Sequence, residues 1–320
     1  MKIYFAPMEG VTSAAYRNAH RKHFSGIDKY YAPFISPTVH HVLTPQEQKD
    51  ILPQYNEGTP VIPQLLTKCA EDFLWAAGDL AAMGYDEVNL NLGCPSGTVA
   101  SKGKGSGFLG HLEDLEQFLD EIFEKSPLPI SVKTRLGVVD PEEFEPILEL
   151  YNRYPIPLLT IHPRVQKQMY RGGVHMEQFA RAAAHSKNPL CYNGDLNTVA
   201  EIEAFSANYP AIEHIMVGRG IIGDPALASK AVGGSAADRK TLEEFHNDLF
   251  EGFAESMNSR RNAMLRMKEI WFYHINLFDD HEKHVKRLRK ATDVDEFLAV
   301  ATAIFRDLPL RENVEPAWKK

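Results

Sequence analysis

The chain has 320 residues, 44% of them hydrophobic, and a formal net charge of −8. That length supports a large core, with room for one barrel-sized domain and a small appendage. No apolar stretch could span a bilayer, the first residues lack a signal-peptide pattern, and the acidic balance argues against indiscriminate nucleic-acid binding. The three cysteines (Cys69, Cys94 and Cys191) lie far apart in sequence. They suggest neither a disulfide framework nor a zinc knuckle, which fits a cytoplasmic protein.

Eight short apolar runs recur in chain order, and the segments between them include stretches of helical pattern. The runs are Ile3–Met8, Lys29–Ile35, Pro60–Leu66, Glu87–Cys94, Ile130–Leu136, Leu158–Pro163, Leu190–Asp195 and His214–Ile221. The helical stretches include Cys69–Met83, Leu112–Lys125, Pro141–Tyr154, Met176–Ser186 and Val199–Asn208. Such alternation predicts a parallel sheet, and eight units match a (β/α)8 TIM barrel. An open doubly wound sheet normally has fewer units at this length. After Gly233-Gly234-Ser235 the strands stop. Thr241–Met257, Arg261–Leu277, Glu282–Lys290 and Val294–Phe305 read as amphipathic helices. The expected organisation is a catalytic α/β barrel over residues 1–235 and a helical domain over residues 236–320. The polar tail after Pro309 is expected to fray.

The fourth run is the most informative. Period-2 alternation puts Asn89 and Asn91 on one face, with Val88, Leu90 and Leu92 on the other. Pro95 cannot donate to a ladder, so the strand ends there. Cys94 then sits at a strand tip before a glycine-rich segment, 97–110, that reads as a lid loop. A free cysteine is more often a small buried hydrophobe. Its position at a strand tip, beside asparagines that are costly to bury alone, favours a reactive thiol.

Barrel active sites lie at the C-terminal ends of the strands. Those ends carry Ala6-Pro7-Met8-Glu9-Gly10-Val11-Thr12, Gln64, Asn91 with Cys94, Lys133-Thr134-Arg135, His162-Pro163-Arg164, Asn193-Gly194-Asp195 and Gly218-Arg219-Gly220. Lys133 shares a face with Arg135, and His162 with Arg164. Three such cations and a histidine converging on one mouth would repel each other unless an anion sits among them. The glycines after strands seven and eight stand where barrels commonly bind phosphate, and Arg219 adds a charge-assisted donor. Gly105-Ser106-Gly107-Phe108-Leu109-Gly110 matches G-x-G-x-x-G but does not open a helix directly after a strand, so it fails as a dinucleotide fingerprint. No residue set has metal-ligand spacing, and no metal is expected. From Ser235 onward acids and bases nearly balance, and Lys283, Lys286, Arg287, Arg289 and Lys290 form a basic cluster.

With these motifs in this order, the chain resembles the tRNA-dihydrouridine synthase family over almost its whole length. The resemblance implies FMN at the barrel mouth, with Pro7 and Met8 flanking the flavin and Gln64, Lys133 and His162 contacting its ring. The cofactor phosphate would sit among Asn193, Gly194, Gly218 and Arg219, and Asp195 would also belong to the cofactor-binding set. Cys94 would be the proton donor, and NADPH or NADH the transient reductant. Asn91, Arg135 and Arg164 would meet the substrate, and the helical domain would help to hold tRNA. A monomer is expected. The sixth-strand motif departs from the family pattern at Val165, where a threonine is usual. Three rivals remain open: an FMN barrel acting on a free pyrimidine or another small molecule, a lyase using Lys133 as a Schiff base, and a catalytically silent RNA-binding module.

Overall fold

A computed structural model describes residues 1–314 and 316–319. Eight parallel strands close into a barrel in sequence order. They are β1 (Lys2–Phe5), β2 (Lys29–Ile35), β3 (Val61–Leu65), β4 (Val88–Leu92), β5 (Ile130–Arg135), β6 (Leu159–His162), β7 (Leu190–Tyr192) and β8 (His214–Val217). Closure pairs Lys2 with His214 and Phe5 with Val217. The expected TIM barrel is therefore present. The observed strands β1, β7 and β8 end sooner than their apolar runs: the residues that follow leave the ladder and form the rim of the mouth.

Around the barrel lie α1 (Ala14–His23), α2 (Pro45–Ile51), α3 (Ala70–Ala82), α4 (Gly97–Ala100), α5 (Leu112–Lys125), α6 (Phe144–Tyr151), α7 (Met176–His185) and α8 (Val199–Asn208). Helix α5 shows how sequence sets the packing. Leu115, Phe118, Leu119 and Ile122 recur at helical spacing and are buried, while Glu113 and Asp114 occupy the first turn and Lys125 the last. Burial of each such side chain contributes about 1.5–3 kcal/mol. Thr198 and Glu201 form a capping box that starts α8.

Strand alternation divides the apolar residues into two sets. Ile3, Phe5, Leu65, Val88, Leu90, Val132, Ile161 and Val217 face the helices, in the main core. Tyr4, Ala6, Tyr31, Ile62, Leu158, Cys191 and Met216 form a separate cluster in the barrel interior. Above that cluster the interior turns polar, and this is where the site lies.

Two short helices, α9 (Arg219–Gly223) and α10 (Leu227–Ala231), follow β8 directly. Then come α11 (Arg239–Met257), α12 (Arg260–His274), α13 (Glu282–Lys290) and α14 (Val294–Asp307). The four expected C-terminal helices are present, though α12 ends earlier and runs into a 3₁₀ turn at Ile275–Leu277. Helix α11 packs on α1, where Tyr16, His20 and Phe24 surround the Phe245 ring at centroid distances of 5.7, 6.4 and 5.2 Å.

The expectation of a frayed tail is corrected. Leu310 forms an antiparallel bridge with Phe278, Arg311 Nε donates to Asp279 at 2.7 Å, Lys230 Nζ donates to the Glu312 carbonyl at 2.6 Å, and Val314 is buried. Apolar anchors inside a polar-looking segment hold it down. Within that tail, Glu315 and Lys320 lie outside the described residues. No described helix is long and apolar enough to cross a membrane.

Candidate active site

A cavity of about 410 Å³ opens at the C-terminal ends of the strands and extends beneath α12. Its floor is a chain of side-chain amides. Gln64 donates to Asn89 at 2.8 Å, Asn91 donates to Gln64 at 2.7 Å, and Asn89 donates to Ser131 at 2.9 Å. Every buried amide there has a partner, which is what makes a polar interior tolerable. Asn91 Oδ1 accepts the backbone N–H groups of Gly93 at 3.0 Å and Cys94 at 2.9 Å. The inward asparagine therefore fixes the turn that carries the thiol.

Cys94 is partly buried and lines the cavity. Burial pushes its thiol pKa up; a bond from the Ser96 backbone and the charges of Lys133 and Arg135 act the other way without winning. The thiol is kept protonated. The segment after it is not an open lid. Helix α4 and a 3₁₀ turn at Gly105–Gly110 fold it against the barrel, Phe108 and Leu109 are buried, and Ser106 binds the Cys94 carbonyl through both N–H (3.1 Å) and Oγ (2.8 Å). Gly105, at φ +57°, sits where a Cβ would lie 2.8 Å from that carbonyl oxygen.

Lys133, Arg135, His162 and Arg219 all line the cavity. Burial, then the Arg135 charge, lowers the Lys133 ammonium to about 8. Burial and four surrounding cations, Arg135 foremost, hold His162 well below its usual value, so the ring is neutral. Arg164 Nη1 lies 3.0 Å from His162 Nε2. An arginine can only donate, so Nε2 accepts and the ring proton is assigned to Nδ1.

The structure changes the reading of two expected substrate contacts. Arg135 does reach the wall, but Nε donates to the Gly93 carbonyl at 2.9 Å and Nη1 to those of Val165 (3.1 Å) and Met169 (2.6 Å). It clamps the Cys94 turn to the loop after β6. Arg164 is not part of the cavity lining. It lies buried behind, where it binds both oxygens of Asp195 at 3.1 and 2.5 Å and the Gly172 carbonyl at 2.7 Å. Arg219 reaches the same carboxylate at 2.8 Å. Asp195, at φ +44°, is thus a counter-anion shared by two arginines.

Pro7, Met8, Asn193, Gly194, Asp195, Gly218 and Arg219 lie together on the rim as their strand-end positions predict. Asn193 Nδ2 donates to the Met216 carbonyl at 2.7 Å, tying β7 to β8. A Cβ on Gly218 would stand 3.3 Å from Ala6 and 3.5 Å from Met8 Sδ, so the backbone there presses close to the first-strand loop. Among the described residues lining the cavity, the cations are Lys133, Arg135 and Arg219 and the carboxylates Glu9 and Asp195, the latter already bound by Arg219 and Arg164. Burial, then Asp50, raises the Glu9 pKa, with Arg266 opposing. The surplus is positive. A planar, anionic cofactor of flavin size fits this volume, this charge and these backbone approaches.

Several lining residues escaped the sequence. Tyr170, in the loop after β6, lies between the guanidinium carbons of Arg135 and Arg219, 5.3 and 5.2 Å from its ring centre. Phe272 and Tyr273 come from α12, Trp318 from the tail, and Asn197 from the loop before α8. An aromatic pair on an amphipathic helix carries no sequence signal that separates a site wall from a core. On α13, Lys283, Lys286, Arg287, Arg289 and Lys290 are exposed, and Leu288 anchors the helix. No group of metal-ligating side chains exists among the described residues.

Solved structures of similar fold include morphinone reductase in complex with tetrahydroNAD, at 12% identity and a TM-score of 0.51 over 75% of this chain and 90% of that one. That likeness concerns the fold alone. A "Probable tRNA-dihydrouridine synthase" of Staphylococcus epidermidis is 29% identical over 276 residues, 83% of each chain. "tRNA-dihydrouridine synthase B" of Pasteurella multocida is 25% identical over 228 residues, 71% of this chain and 67% of that one. Residues 4–307 match the family described as "Dihydrouridine synthase (Dus)", and the chain belongs to that family.

Proposed function

We propose that this protein reduces uridine to 5,6-dihydrouridine in tRNA, using FMN replenished by NADPH or NADH, with Cys94 as the proton donor. The observation that carries this reading is the Cys94 thiol. It is held protonated at the wall of a cation-rich, flavin-sized cavity, on a turn fixed by Asn91 and Arg135.

A bound flavin would supply the hydride for C6 of the uracil ring. The residues around it do the rest. Cys94 Sγ gives its proton to C5 as the C5=C6 bond becomes single, and the thiolate left behind faces Lys133 and Arg135 before it recovers a proton from solvent. Lys133 is cationic at neutral pH and favours an anionic ring beside it; neutral His162 presents Nδ1–H without adding charge. Gln64, Pro7 and Met8 would hold the ring at the cavity wall. Asn193, Gly194, Gly218 and Arg219 would seat the phosphate, with Asp195 holding Arg219 in place. Asn91 and Arg135 border the uracil and hold the acid in place, whereas Arg164 supports Asp195 from behind. Because a uridine in folded RNA is stacked, it must be extruded to reach Cys94. Tyr170 and Phe272 are exposed at the rim to receive its neighbours, and the basic face of α13 lies in the helical domain, residues 236–320, that holds tRNA.

The test is an anaerobic visible spectrum of the purified protein, reduced with NADPH and then mixed with unmodified tRNA. Flavin bands that bleach and return on adding tRNA, but not free uracil or orotate, support the reading. Bands that return only with a small molecule favour a free-pyrimidine reductase. A protein that takes up no flavin sinks both.

A further inference from the structure

The tail that crosses back over the barrel ends on a built contact. The Trp318 ring turns its Cη2 corner toward Gly223 of α9, where a Cβ would overlap Cη2 and stand 3.0 Å from Cζ2 and Cζ3. Its Nε1 donates to Asn197 Oδ1 at 3.3 Å, and Asn197 Nδ2 in turn donates to the Asp195 carbonyl at 2.8 Å. On its other side Trp318 meets the Tyr273 ring edge-on, with centroids 5.3 Å apart. One side chain thus touches the loop after β7, the helix after β8 and α12, and it also lines the cavity.

Those first two segments carry the residues assigned above to the cofactor phosphate. Gly223 is the buried last residue of α9. Space for the indole is the structural use of that glycine. The anchors at Leu310, Arg311, Glu312 and Val314 deliver the tryptophan to a fixed place.

We infer that Trp318 is the outer wall of the phosphate end of the flavin site. It holds the Asn193–Asn197 loop against α9 and closes the space that any group attached beyond a monophosphate would need. The inference rests on the flavin reading above and adds a residue to it. In consequence the tail selects FMN over both riboflavin, which lacks the phosphate, and FAD, which extends past it. Tail docking and flavin retention become one event.

The experiment measures dissociation constants of FMN, riboflavin and FAD by fluorescence quenching on the full-length apoprotein. It compares wild type, Trp318→Ala, Trp318→Phe, Gly223→Ala, the Gly223→Ala/Trp318→Ala pair and a chain ending at Val314. Trp318→Ala and the shortened chain are expected to weaken FMN about tenfold, to leave riboflavin within twofold and to narrow the FMN-to-FAD preference (tenfold being about 1.4 kcal/mol). Trp318→Phe should restore most of the FMN affinity. Gly223→Ala, by displacing the ring, should reproduce the Trp318→Ala loss, and the double variant should be no worse than either single one. Equal weakening of FMN and riboflavin, or additive losses in the pair, would reduce Trp318 to general packing and overturn the inference. Wild type that binds FMN while Trp318→Ala binds it as tightly overturns this inference alone; wild type that binds no flavin overturns the functional reading as well.

Discussion

The two sides of the mouth are built on different principles. The barrel side is polar and cross-linked: Asn91 bonds Gln64, Arg164 bonds Asp195, and Arg135 clamps the Gly93, Val165 and Met169 carbonyls. The side formed by the helices and tail is aromatic, with Phe272 half-exposed and Tyr273 and Trp318 meeting edge-on. Strand ends are rigid and give the precision that proton transfer and charge stabilisation require. Aromatic side chains on helices accept a range of partners through area rather than angle, which suits recognition of an extruded nucleotide and its surroundings. Chemistry sits on one wall and fit on the other.

That division can be broken most decisively at Cys94. Cys94→Ala should lower dihydrouridine formation by at least about 10³-fold, the scale of a lost general acid, with flavin content and reduction by NADPH unchanged. Loss of flavin from that variant would make the thiol structural.

A second contrast lies at the seam between α1 and the C-terminal helices. Burial holds His20 and His246 near 4 and His274 near 3. Their unfolded value is about 6.5, so the unfolded chain binds more protons than the folded one between about pH 6.5 and 4. Stability from these groups is complete above pH 6.5 and falls through that window, by about 1.4 kcal/mol per pH unit for each histidine. Urea titrations at pH 7, 6 and 5 should show the midpoint dropping steeply, and a flat profile would contradict neutral buried rings.

At the mouth, Asp195→Ala leaves Arg164 buried without its carboxylate and should cost about 3 kcal/mol in unfolding free energy. Asp195→Asn should recover part of that through its remaining hydrogen bonds. An unchanged melting curve for Asp195→Ala would show that the arginines are neutralised elsewhere.

Reversing Lys286, Arg287 and Arg289 to glutamate should weaken tRNA binding about tenfold at low salt and flatten its salt dependence, without altering flavin binding. Unaltered tRNA affinity would move the nucleic-acid surface off α13. The smallest effect concerns Lys133. With an ammonium near 8, FMN binding takes up a proton at alkaline pH, so affinity should fall several-fold between pH 7 and 9 and hold steady below 7. Lys133→Met should abolish that slope.

The barrel was legible because parallel strands buried on both faces write apolar runs, and eight of them stand in order. Cys94, Lys133, His162 and the glycine-bearing rim could be located because strand ends point one way in such a fold. Arg164 could not be read correctly: alternation puts it on the same face as His162, yet the chain turns after β6 and sends it behind the cavity to Asp195. Helix α1 was not anticipated, since half its apolar face is histidine and tyrosine. Trp318 had no periodicity around it at all, and only the tertiary return of the tail shows its place.

The packing of α11 on α1 has a consequence for biosynthesis. The aromatic face formed by Tyr16 and His20 of α1 and by Phe24 just after it is made among the first residues, but its cover, Phe245, comes more than 200 residues later. Barrel closure likewise waits for β8 to reach β1. Throughout most of its synthesis the nascent chain therefore carries an uncovered sticky patch and an open sheet edge. Folding of the barrel is tied to synthesis through α11, and a stall before it leaves a species prone to aggregation.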